Sequence, residues 1–86
     1  MPHWKIEKHD GILETGLVGE LPDSMSEREV EEVLRRLVCI RLNEEEVLAS
    51  SLDARHPNRR VLLDRIGSGP EIQFGDNPFF IARLEN

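Results

Sequence analysis

Apolar and charged side chains alternate at period two from His3 to Lys8, with Trp4 and Ile6 on one side and Lys5 and Glu7 on the other. His9-Asp10-Gly11 follows, residues that tolerate a tight turn, so the pattern predicts a strand entering a hairpin. Ile12-Leu13-Glu14 begins a candidate return strand. Gly16 and Gly19 leave the stretch up to Pro22 weakly specified.

The period then changes. Ser26-Glu27-Arg28-Glu29 matches a capping box, and Val30, Val33, Leu34, Leu37, Val38 and Ile40 trace a broad apolar face behind it. Glu31 and Glu32 stand four residues before Arg35 and Arg36, which supports the exposed side and suits the helix dipole. A helix is expected over Glu27 to Arg41. Asn43-Glu44-Glu45-Glu46 repeats the capping grammar, and Val47, Leu48 and Leu52 follow on one side, so a second, short helix is expected over Glu44 to Leu52 after a sharp change of direction.

From Asn58 the pattern allows two readings. Asn58 caps a third helix, Arg59 to Ile66, stopped by Gly67; or Arg60 to Ile66 is a strand turning through Gly67, Gly69 and Pro70. Arg59 and Arg60 at the positive end of a helix dipole oppose the first, and imperfect alternation opposes the second. The helix is the preferred expectation. Glu71 to Phe74 alternates again, Gly75-Asp76-Asn77-Pro78 is a dense turn signal, and Phe79 to Leu84 has strand composition, which predicts a C-terminal β-hairpin.

The expected fold is α+β, with two or three helices packed on a small antiparallel sheet that contains this hairpin. At 86 residues the chain makes a single domain over 1–86, burying roughly 60 to 70% of its unfolded surface. Trp4, Phe74, Phe79 and Phe80 are all its aromatic residues, so the two ends of the chain are expected to meet in a shared core. Hydrophobic residues at 38% against charged residues at 33% describe a globular chain rather than a disordered one. Cys39 is the only cysteine, which excludes an internal disulfide and points to a reducing, cytoplasmic setting. Charges interrupt Met1 to Leu21 too often for a signal peptide or a spanning helix, so membrane insertion is not expected.

The formal charge is −6, but it is uneven. Residues 1–34 carry nine acids and three bases, residues 35–65 five and seven, and residues 66–86 three and one. The basic middle holds an island of Arg55, His56, Arg59, Arg60 and Arg65, the candidate binding residues. A net acidic chain is repelled by nucleic acid at long range, so any such binding would depend on this island.

Other chemistry is thinly represented. Cys39 lies between Val38 and Ile40 on a helix with no histidine close in sequence, and reads as an inert, buried thiol rather than a nucleophile. His3, His9, Asp10 and His56 lack the spacing that preorganises a metal site, and Pro2 removes the amide that an amino-terminal copper tripeptide must deprotonate. Gly67-Ser68-Gly69-Pro70 lacks the lysine and hydroxyl of a phosphate loop and reads as a turn. Ser50 and Ser51 have no base beside them in sequence. The run Glu44-Glu45-Glu46 fits the first turn of a helix, with a partner-docking face as the alternative. No catalytic residue, metal, cofactor or small-molecule substrate is expected.

If residues 59–66 are helical, the order helix, helix, turn, helix, hairpin resembles a winged helix over about two thirds of the chain. The resemblance makes Asn58 to Ile66 a recognition helix and Gly75 to Pro78 a wing tip, and implies that Arg55, Arg59 and Arg60 meet phosphates. If they are extended, the arginines gather near a sheet edge and face the acid-rich helices, a second copy or an acidic partner. The leading expectation is a non-enzymatic protein-interaction or regulatory domain, engaging a protein partner or itself. A winged-helix-like nucleic-acid-binding domain is the alternative.

Overall fold

A computed structural model describes residues 2–11, 14–53, 55–67, 69–75 and 78–85. Ile12, Leu13, Ser68, Asp76 and Asn77, where turns or strand are expected, lie outside the described residues. The elements are β1 (His3–Asp10), β2 (Glu14–Pro22), α1 (Glu27–Ile40), α2 (Glu44–Ser50), β3 (Ile72–Gly75) and β4 (Phe79–Glu85). This is an α+β fold with one four-stranded sheet in the order β2-β1-β4-β3, every neighbouring pair antiparallel.

The expected meeting of the two ends is the central pairing of that sheet. β1 runs against β4 from His3↔Glu85 to His9↔Phe79. Alternation then sorts the side chains: Trp4 and Ile6 of β1, Phe80 and Ala82 of β4, and Ile72 and Phe74 of β3 all point to one face, where they are buried with Val30, Leu34 and Val38 of α1. The indole N–H of Trp4 donates to the Met25 carbonyl at 3.0 Å, so the largest core side chain also satisfies its one polar atom. The opposite face carries the charges. There Arg83 of β4 pairs with Glu7 at 2.7 Å and with Glu71, and Lys5 approaches Glu85 at 3.9 Å.

Both capping boxes form. Ser26 Oγ accepts from the Glu29 amide while Glu29 accepts from the Ser26 amide, and Asn43 and Glu46 make the same reciprocal pair. Arg41 is the C-cap of α1, and α2 stops at Ser50 with Ser51 as its cap, two residues short of the expected end. The buried stripe of α1 is narrower than the apolar pattern implies: Val30, Leu34 and Val38 are enclosed, whereas Ile40 is 76% exposed. Ile40 lies two residues, about 200° of helix, beyond Val38, so it turns away from the sheet side of the stripe.

Residues 55–67 correct both expectations for that segment, since among the described residues they form neither the helix Arg59 to Ile66 nor a strand. They run as turns, and the one extended contact is a bridge from Ile66 to Gln73. Local polar bonds outcompete both regular states. The Arg60 amide donates to the Ala49 carbonyl, the Asp64 amide closes a turn onto Val61, and Arg59 and Arg65 turn their guanidiniums inward to carbonyls and carboxylates. Only Leu63 of the apolar run packs against the core, while Val61 and Ile66 are exposed. The winged-helix order therefore lacks its recognition helix.

β2 also differs from expectation, being an unbroken nine-residue strand through both glycines. Its register slips between Ile6↔Gly19 and Glu7↔Leu17, so Val18 is the extra residue of a β-bulge. Gly75 does a different job at the end of β3. Its φ is +92°, and a Cβ there would lie 2.9 Å from the Pro78 carbonyl oxygen and 3.3 Å from Val38 Cγ2. Gly75→Ala should therefore cost about 2 kcal/mol in urea unfolding. Gly16, with open space around it, should accept alanine without loss and with a gain of up to about 1 kcal/mol.

Candidate functional site

Three of the five island residues fold back on the protein's own acids. Arg59 donates through Nε to the Leu52 carbonyl at 3.1 Å and through Nη2 to Asp64 at 2.6 Å. Arg60 lies 3.6 Å from Glu46 of α2. Arg65 reaches Glu27 and Glu31 of α1, each at 3.4 Å, and its other terminal nitrogen donates to the carbonyls of Gly69 and Glu71. It thereby ties the first half of α1 to the chain entering β3. Arg55 and His56 stay at the surface: the Arg55 guanidinium makes no ion pair among the described residues, and His56 Nδ1 accepts from the Asn58 amide.

Two arginines are held more firmly charged than usual. Asp64 raises the pKa of Arg59, chiefly through their hydrogen bond, and Glu71 does the same for Arg83. A cation whose pKa rises on folding stabilises the fold below its unfolded value and stops doing so only as pH climbs through the raised value. For an arginine that range is strongly alkaline, so these cations hold their contribution throughout neutral pH.

A second place has the shape that the island lacks. α1 lies over β3 and β4 and leaves much of the facing side of β2 uncovered. Cross-strand partners share a face, and Trp4↔Leu21, Ile6↔Gly19 and Lys8↔Gly16 identify the inward positions of β2. Only Leu21 brings a side chain that packs against the core; the two glycines bring none. The result is a groove of 370 Å³ beside the C-terminal turns of α1, floored by Gly16 and Phe80 and walled by Leu37 and Ile40. Leu17 and Val18 line its outer rim, with Leu17 60% exposed.

Lys8 and Arg41 border this groove, and among the described residues neither makes an ion pair. That separates it from the hollow of 410 Å³ beside Val61 and Ile66, whose bordering charges, Asp64 and Arg65, are already partnered. Sequence reasoning missed the groove. Its signals were Ile40, too far round the helix from Val38 to share one narrow stripe, and the glycine pair in β2.

Among the described residues no group of three His, Cys, Asp or Glu side chains could hold a metal ion, Cys39 is half-buried and free, and no helix is long and apolar enough to cross a membrane. No protein-family model, curated protein or solved structure matches the chain.

The ion pairs of the island make a direct prediction. Arg65→Met should cost about 1–2 kcal/mol of unfolding free energy, because Glu31 and two carbonyls lose their donor. Arg55→Met should leave stability within about 0.5 kcal/mol of wild type by the same urea titration.

Proposed function

We propose that this chain is a non-enzymatic protein-interaction domain whose docking site is the groove between α1 and β2, and that it takes a short, acidic, amphipathic helix. The observation that carries the reading is the pairing of exposed apolar side chains, Ile40 on the wall and Leu17 and Val18 at the rim, with two bordering cations that have no acid of their own among the described residues. Apolar side chains on one stripe of a helix would fill the trough, and carboxylates beside that stripe would meet Lys8 and Arg41. Steric room agrees with this. Four strands set the outer two about 14 Å apart, and a helix is about 10 Å across, so one helix over β3 and β4 leaves space for a second. Cys39, lone and free, suits a reducing, cytoplasmic setting.

The nucleic-acid alternative has less support. Three of the five island residues, Arg59, Arg60 and Arg65, are occupied with the protein's own acids, and each would have to surrender that partner to meet a phosphate.

Selection from a displayed library of random helical peptides tests the docking reading. Wild-type protein should enrich sequences with Leu or Phe at helical spacing flanked by Asp or Glu, and Ile40→Asp should weaken their binding about tenfold or more. Gly16→Val, which fills the trough from an open position and does not threaten the strand, should weaken it similarly while circular dichroism stays unchanged. Peptides that bind both variants as tightly as wild type, or a selection that enriches no such pattern, would overturn the reading.

A further inference from the structure

We propose that the groove is filled by α2 of a second copy of this chain, each copy giving its α2 to the other across a two-fold axis. The inference rests on the docking reading above and names its ligand. α2 is about 10 Å long and presents the features the groove calls for. Leu48 is 68% exposed, and Glu44 and Glu45 lie four and three residues before it, on the same side of the helix. Among the described residues Glu44 and Glu45 make no ion pair, whereas their neighbour Glu46 is engaged by Arg60. An apolar knob flanked by two free acids thus exists on the same molecule as an apolar trough flanked by two free bases.

The two cannot meet within one copy. α2 is tied to the turn segment by the Arg60 amide on the Ala49 carbonyl and by the Arg60–Glu46 pair, and Arg59 holds the Leu52 carbonyl just beyond it. That segment lies toward β3: Glu46, Arg60 and Leu62 share a hollow with Val38, Gly75 and Pro78, and Arg41 stands between this hollow and the groove, bordering both. The ligand must therefore come from another molecule. Arg41 of the groove stands only three residues before Glu44, so the giving and receiving patches adjoin at one end of α1. Adjoining patches are what a two-fold axis needs to exchange both helices at once and close the assembly.

Strand addition at the β2 edge is the competing route to a dimer, and it is the poorer one. The bulge at Val18 breaks the regular ladder. Antiparallel pairing of two β2 strands centred on Leu17 would also set Glu14 opposite Glu20 at both ends.

A contact this small should be weak, with dissociation in the micromolar range or above. Both copies are net acidic, so the measurement belongs near 0.1 M salt, where repulsion beyond about 10 Å is screened. Sedimentation equilibrium of the full chain, from about 10 μM to 1 mM, should show a reversible monomer–dimer equilibrium. K8E/R41E and E44K/E45K should each, alone, dimerise about tenfold more weakly or worse, because like charges then face each other. Mixed one to one, they should associate to within about threefold of wild type, since the acidic groove now meets the basic α2 and the basic groove the acidic one. A wild-type chain that stays monomeric at the highest concentration would overturn the proposal. So would charge variants that dimerise unimpaired, or a mixture no tighter than its parts. Monomeric wild type that still binds the selected peptides refutes the exchange alone; failure of both experiments refutes the docking reading as well.

Discussion

Four strands laid side by side present an inward face wider than one helix, and only α1, at 14 residues, is long enough to cover much of it. The rest of the molecule arranges itself around that shortfall. α1 covers β3 and β4, where Ile72, Phe74 and Phe80 offer the most apolar area, and turns its buried stripe of Val30, Leu34 and Val38 toward them. Trp4 and Ile6 lean in from β1 to close the core. β2, the strand farthest from α1, meets the shortfall by giving up side chains: glycine stands where a larger residue would face water. A strip of backbone is cheaper to leave exposed than a row of valines, because its apolar area is small.

Charge follows the same geometry. Where elements are crossed by the returning chain, acids and bases are matched, as with Arg65 between Glu27 and Glu31, Arg60 on Glu46 and Arg83 between Glu7 and Glu71. Each pair is partly exposed and modest in energy, but the arginine bonds to carbonyls add satisfaction that water would otherwise have to supply. Among the described residues Lys8 and Arg41 beside the groove and Glu44 and Glu45 on α2 make no ion pair, and neither do Arg28, Arg36 and Arg55. Lys8 and Arg41 are set apart by the apolar groove they border.

Much of this architecture was readable from residues. Both helix starts were visible because a capping box is a local device, complete within four residues, and the hairpin of β3 and β4 because period-two alternation and a turn signal coincide. The segment after Asn58 was not, because its conformation is decided by partners far away in sequence: Arg65 answers to Glu27 and Glu31, and the Arg60 amide to Ala49. Three residues of the island, Arg59, Arg60 and Arg65, pair with the protein's own acids, while Arg55 and His56 stay at the surface. The groove escaped notice for the opposite reason, since it is made of what is missing, two side chains on β2 and a second long helix. Absence has no signature in a hydrophobic pattern.

The pairing of His3 with Glu85 has a consequence for how the molecule comes into being. A ribosome delivers β1 well before β4, so the central seam of the sheet cannot be sewn until the residues between them have emerged. Until then the hairpin of β1 and β2 has no floor beneath Trp4, and α1 has no sheet to lie on. Pairing β1 with β4 closes a loop of about 70 residues, a non-local contact whose entropy must be met before the sheet rewards it.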